Sequence, residues 1–297
     1  MKVFATCDLP CHFKINGESL GVIDKNLLTY NLERENPLFE ALPLNELFSP
    51  CYSGINGSKS IKVFKVDNGV LVCPVLRKNY ISNFKMLGQT ECVINGVRTI
   101  LSVVIDGVAK FYLEGCFNDV KTLPFIPEKF EIYYENGFIF VSFSAEKRAL
   151  FVYELESAKL VFCNVVSAFS YSETLNVKRE FQTVLKTTVF EKWNLGLEPT
   201  LIERRSETEK SFFEINPLLV PAAFFESVVI GASINEIASP NLVKRYDALR
   251  EFLGKVIRVI PSPQEDNCVW LITEEKVVKG IVVLENGIID NVLLDDF

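Results

Sequence analysis

The chain has 297 residues, 48% of them hydrophobic and 23% charged, a composition that excludes a disordered or fibrous protein. Its 31 basic and 38 acidic side chains leave a net charge of −7, so no basic field exists to neutralise phosphates and nucleic-acid binding is not expected. A single histidine, His12, excludes multi-histidine metal sites and leaves a nucleophilic serine or cysteine only one candidate base.

Taken in chain order, Met1 to Thr6 carries one lysine and few apolar residues before Asp8 and Pro10, too little for the apolar stretch of a signal peptide. The longest apolar stretch, Pro217 to Phe225, is ended by Glu226, far short of the ~20 residues a membrane-spanning helix needs. A cytoplasmic protein without a membrane-spanning segment is expected. Asparagine-glycine pairs then punctuate the chain at Asn16, Asn56, Asn68, Asn95, Asn136 and Asn286, with Asp106-Gly107 as a related pair. Asn or Asp followed by Gly tolerates the positive φ values of a two-residue hairpin turn, and the flanks are apolar and β-branched. Cys11 to Ile15 should therefore pair with Ser19 to Ile23, Ile61 to Val66 with Val70 to Leu76, and Phe130 to Tyr134 with Phe138 to Phe143.

Between the turns, Ile61-Lys62-Val63-Phe64-Lys65-Val66 alternates as a half-exposed strand does. Thr99 to Ile105 and Ala149 to Tyr153 are almost continuously apolar and should be covered on both faces. Asn36 to Phe48 has room for a short irregular helix between Pro37 and Pro43. The uneven turn spacing favours a sandwich or meandering sheet over a regular propeller. Glu198 to Lys210 has almost no apolar content and reads as a linker or an exposed hairpin tip.

After that break the pattern becomes helical. Leu218, Leu219, Phe224, Phe225, Val228 and Val229 recur at helical spacing, and Gly231 marks the stop. A second helix is capped by Ser239, opens on Pro240, carries the stripe Leu242, Tyr246, Leu249 and Leu253, and stops at Gly254. Strands follow at Val256 to Ile260, Cys268 to Thr273, Val277 to Leu284 and Ile288 to Leu294. The fold class is mainly β with an α+β C-terminal part: an antiparallel, hairpin-rich β-sandwich or meander over residues 1–200, of one or two sub-domains, then a small helix-plus-curved-sheet domain over 212–297. That last segment holds 7 basic and 13 acidic residues, against 24 and 25 in the rest of the chain, so nearly all the net acidity is C-terminal.

Phe224 to Gly231, Ser239-Pro240-Asn241-Leu242 and Leu249 to Gly254, followed by an antiparallel sheet, together resemble a small NTF2-like or cystatin-like domain. The resemblance covers residues 212–297 and rests on element order. It implies a curved sheet wrapped around a helix, a cavity between them used for ligands or dimerisation, and a lining drawn from Phe225, Val229, Tyr246, Leu249 and Trp270. The family's enzymes place a histidine in that cavity; this segment has none.

Eight cysteines are too few for a disulfide scaffold, and Cys73, Cys92, Cys163 and Cys268 sit in apolar settings that suit buried free thiols. Cys7, Cys11 and His12 come nearest to a ligand cluster, but no C-x-x-C or second ligand pair accompanies them. Phosphate-binding glycine loops and the G-x-S-x-G nucleophile turn are absent from the sequence. No catalytic residue, metal or cofactor is expected. Trp193, Tyr133, Tyr134, Phe212, Phe213 and Trp270 supply aromatic surface for packing or recognition.

The leading expectation is a non-catalytic binding or interaction protein, its partner a protein or small ligand of unknown identity, with a homodimer through the C-terminal domain as one option. The alternatives are small-ligand binding in an NTF2-like pocket and a carbohydrate-active enzyme using paired carboxylates.

Overall fold

The computed structural model describes residues 1–32, 37–44, 51–53, 60–75, 85–263 and 265–296; the Asn56-Gly57 turn and Leu76 lie outside them. The chain forms two compact units. One combines Met1–Asn79 with Phe212–Val229 and Ile234–Phe297; the other comprises Tyr80–Ser211 and Ile230–Ser233. This differs from the linear division at residues 200–212, which follows a change of pattern along the chain and carries no information on which distant segments share a core.

In the first unit the N-terminal strands are β1 (Lys2–Ala5), β2 (Cys11–Ile15), β3 (Glu18–Ile23), β4 (Leu28–Asn31), β5 (Phe39–Pro43), β6 (Cys51–Ser53), β7 (Ile61–Val66) and β8 (Gly69–Pro74). They form two sheets of order β4-β1-β8-β7 and β3-β2-β5-β6, antiparallel except for β1 beside β8. The chain switches between the sheets, and Val3, Ala5, Phe13, Ile15, Phe39, Ala41 and Val72 fill the core they share. The expected hairpins β2–β3 and β7–β8 form, the first closed by Asn16 at φ 53° and Gly17 at φ 83°. Phe39–Pro43 is a strand rather than part of an irregular helix. Phe39 and Ala41 alternate into the core while β5 pairs with β2, which is a period of two, not 3.6.

The second unit is a run of three four-stranded meanders. The first is β9 (Lys85–Ile94), β10 (Val97–Asp106), β11 (Val108–Glu114) and β12 (Asp119–Thr122). The second is β13 (Lys129–Glu135), β14 (Phe138–Ser144), β15 (Arg148–Glu154) and β16 (Lys159–Val166). The third is β17 (Ala168–Tyr171), β18 (Leu175–Phe181), β19 (Thr187–Asn194) and β20 (Thr200–Thr208). The middle sheet is covered on both sides. Ile139, Val141 and Phe143 meet Leu101, Val103 and Phe111 of the first meander, whereas Phe140, Leu150 and Val152 meet Leu175 and Val177 of the third. This double burial explains the unbroken apolar run Ala149 to Tyr153.

Beyond β20 the chain returns to the first unit. A 3₁₀ turn at Pro217–Leu219 leads into α1 (Val220–Ile230), and Gly231 at φ 80° ends it. The Ser239 hydroxyl accepts a hydrogen bond from the Leu242 N–H, capping α2 (Pro240–Lys244), and α3 (Tyr246–Leu253) follows. The expected single helix is thus broken at Arg245, where φ is −97° and ψ 4°; Leu242 and Leu253 are buried but Leu249 only half so. The strands β21 (Arg258–Pro261), β22 (Cys268–Ile272), β23 (Val277–Glu285) and β24 (Ile288–Asp296) make the last antiparallel meander. One of its faces, with Ile260, Trp270, Ile272 and Val277, packs on Phe4, Val66 and Leu71 of the N-terminal segment. The other meets α1, so closely that a Cβ on Gly280 would lie 2.8 Å from the Phe225 ring. Among the described residues no helix is long and apolar enough to cross a membrane.

Candidate functional site

The stretch Glu198 to Lys210, expected to be a linker or hairpin tip, contains β20, an edge strand paired along β19. Successive side chains of a strand point to opposite faces. Arg204 turns inward opposite Glu191, while Glu203 and Arg205 turn to the open face opposite Lys192 and Phe190. The two sides of the sheet have different chemistry.

On the inner side the Glu191 carboxylate is almost completely buried and accepts hydrogen bonds from Arg179 Nη2 at 2.7 Å, Arg204 Nε at 2.9 Å, Arg204 Nη2 at 2.7 Å and Trp193 Nε1 at 3.3 Å. Burial pushes its pKa up, but the Arg179 charge and the Arg204 and Trp193 hydrogen bonds outweigh burial and hold it below the ordinary glutamate value. A carboxylate kept ionised in this way is an anchor for the sheet. It is not a proton donor of the kind glycoside hydrolysis needs.

On the open side a groove of about 320 Å³ runs across the sheet, lined by Ser170, Asn176, Lys178, Phe190, Lys192, Glu203 and Arg205 among others. The Arg205 guanidinium lies 4.4 Å from the centroid of the Phe190 ring and pairs with Glu207 at 3.2 Å. Lys178 pairs with Glu180. Along the edge, Leu201, Ile202, Glu203, Arg205 and Glu207 are all exposed, while the Ser206 hydroxyl accepts a hydrogen bond from the Ser233 N–H at 2.8 Å. The arrangement combines a cation held on an aromatic ring with a nine-residue edge strand.

A second concavity, of about 430 Å³, lies in the first unit, lined by Thr6, Asp8, Lys62, Phe64, Cys73, Ile257 and Arg258 among others. Arg258 donates to Thr6 Oγ1 at 2.9 Å and is ion-paired with Asp8. Burial pushes the Cys73 thiol up to about 12, with Arg258 opposing it, so this sulfur is not a ready nucleophile.

Of the five residues expected to line an NTF2-like pocket, Phe225 and Trp270 lie on opposite faces of one sheet. Phe225 meets the face of the β21–β24 sheet that carries Gly280 and Leu271, whereas Trp270 points to the other face and makes a T-shaped contact with Phe4, ring centroids 4.9 Å apart. Val229 is half-buried on α1, and Tyr246 and Leu249 are half-buried on α3. None of the five lines the two concavities above. Neighbours on a strand face opposite ways, and nothing in a helical stripe says which side of a sheet it will cover.

Cys7 and Cys11 are buried with sulfurs 3.5 Å apart, while His12 faces solvent on the other side of β2, so the three do not converge. Cys163 departs from the expected burial: on edge strand β16, Phe162 takes the inward position and Cys163 the outward one. In the native protein, iodoacetamide should modify Cys163 first and leave Cys7, Cys11, Cys51 and Cys268 untouched until denaturant is added. Peptide mass mapping before and after unfolding reads this out, and early labelling of Cys7 or Cys11 would contradict the burial described.

Comparison with protein-family models finds no match to this chain, and a search of curated proteins finds no significant similarity.

Proposed function

We propose that this is a non-catalytic binding protein that takes an extended polypeptide along the β17–β20 sheet, against the free edge of β20 and across the groove beside it. The observation that carries this reading is the exposed nine-residue edge strand bordering the groove in which Arg205 rests on Phe190. An added strand gains affinity from main-chain hydrogen bonds, and side chains placed alternately over the groove supply specificity. The bland role of edge charges is to discourage aggregation. A ladder of alternating sign does that against most sequences while accepting one whose charges alternate in the complementary phase. Free thiols at all eight cysteines fit a reducing compartment such as the cytoplasm.

Selection of a displayed peptide library on the immobilised protein tests the proposal. Extended peptides with alternating charge should be enriched, and those peptides should bind an Arg205→Ala, Phe190→Ala variant at least about tenfold more weakly, as expected for losing an arginine-aromatic anchor. Enrichment of nothing, or equal binding to the variant, would end this reading. A second reading, small-ligand binding, is favoured by the 430 Å³ cleft with its half-enclosed Arg258.

A further inference from the structure

We propose that the cleft of the first unit binds a small amphipathic monocarboxylate, its carboxylate on Arg258 in place of Asp8 and its hydrocarbon tail along the apolar wall toward Ile257. This rests on the small-ligand reading of that cleft, names the ligand class, and is independent of the β17–β20 groove. The cleft, of about 430 Å³, lies between β7 and β8 on one side and β21 and β22 on the other, a size that suits a small organic ligand. Its cation is held in place from within. The Thr6 side chain is buried; its hydroxyl donates to the Asp24 carbonyl at 3.0 Å and accepts from Arg258 Nη1 at 2.9 Å, which fixes one end of the guanidinium. The other end, Nη2, meets the Asp8 carboxylate. The Arg258 side chain is 17% exposed and that of Asp8 82%. An ion pair with so exposed a partner contributes little, so Asp8 marks the kind of group this guanidinium takes without holding the position tightly.

The rest of the lining agrees with a monoanion. Lys62 adds a second cation, its ammonium donating to the backbone carbonyl of Glu274. With Asp8 turned out to solvent, Arg258 and Lys62 against Glu274 leave one positive charge in the cleft for the ligand to neutralise. Burial pushes the Cys73 thiol up to about 12, so it stays neutral and does not repel an anion. The remaining wall is apolar, from Leu9, Phe64, Val75, Ile257 and Ile272. Ile257 is 66% exposed, apolar surface that a hydrocarbon tail covers. A ligand of this class exchanges one carboxylate for another on Arg258 and gains the burial of its tail, for which Asp8 has no counterpart.

Titration calorimetry of the full-length chain with octanoate, octylammonium and 1-octanol tests the proposal, and backbone amide NMR shifts at Ile257, Arg258 and Thr273 report where each binds. Octanoate should bind saturably, and hexanoate about tenfold more weakly, the change expected for two fewer buried methylenes. Octylammonium and 1-octanol should each bind at least about tenfold more weakly than octanoate, as for loss of a charge-assisted hydrogen bond. Arg258→Gln should weaken octanoate by a similar factor. Asp8→Asn should instead tighten octanoate several-fold, because Arg258 is no longer occupied by a competing carboxylate. That gain cannot come from a damaged fold, and thermal melting checks both variants. Absence of octanoate binding, unchanged octanoate affinity in Asp8→Asn, or shifts confined to residues away from the cleft would each overturn the proposal. Shifts in the cleft with octylammonium or 1-octanol but not with octanoate overturn the ligand class and leave the small-ligand reading standing, whereas no shifts there with any of the three end both.

Discussion

Replacing Glu191 with alanine should destabilise the second unit by about 3–5 kcal/mol, the usual consequence of removing one partner from a buried ion cluster. Glu191 is 3% exposed and holds two guanidiniums and an indole N–H at once. Without it, Arg179 and Arg204 face each other across β19 with their charges unopposed. Glu207, whose side chain is 61% exposed and pairs with Arg205, provides the contrast: Glu207→Gln should change stability by about 0.5 kcal/mol or less. Denaturant unfolding of both variants measures the difference. Equal, small effects would show that the cluster does not hold the sheet. The same site predicts an acid response. Because the folded-state pKa of Glu191 is depressed, its contribution is complete above the unfolded glutamate value of about 4.3 and fades as the pH falls through the lower folded value. Glu191→Gln should flatten that part of the stability profile.

A fragment of residues 212–297, expressed alone, should not fold. Its β21–β24 sheet turns Ile260, Trp270, Ile272 and Val277 toward Phe4, Val66 and Leu71, which the fragment lacks, leaving a large apolar face in water. In the intact chain Trp270→Ala should cost about 3–5 kcal/mol, as truncation of a buried aromatic generally does. A fragment of residues 80–211 should behave differently, since its three meanders bury their apolar faces against one another in sequence order. Far-UV circular dichroism and denaturant titration decide both points. Cooperative unfolding of 212–297 would mean that the helices alone complete its core.

The contrast between these fragments shows where sequence reasoning is strong. In the second unit, contacts are between neighbours along the chain, so turns and alternation carry most of the fold. The Asn136-Gly137 hairpin and the doubly covered Ala149–Tyr153 strand both follow from local pattern. In the first unit, Trp270 finds Phe4 across 266 residues of sequence, and no local signal announces such a pairing. The polar run at β20 hides in another way. Its alternation of Glu203, Arg205 and Glu207 with Arg204 and Ser206 has the period of a strand, but a search for apolar periodicity passes over it.

The sequence alone determined the mainly β character, the hairpins, and the caps and stops of the helices, because each depends on φ preferences or side-chain alternation within a few residues. Only the tertiary structure decided that the N- and C-terminal segments share one unit, that Phe225 and Trp270 lie on opposite faces of one sheet, and that Glu191 gathers Arg179, Arg204 and Trp193. Those outcomes depend on which apolar face finds which cover and which buried charge finds which partner. Burial and Coulomb attraction act between atoms close in space, and separation along the chain does not enter them.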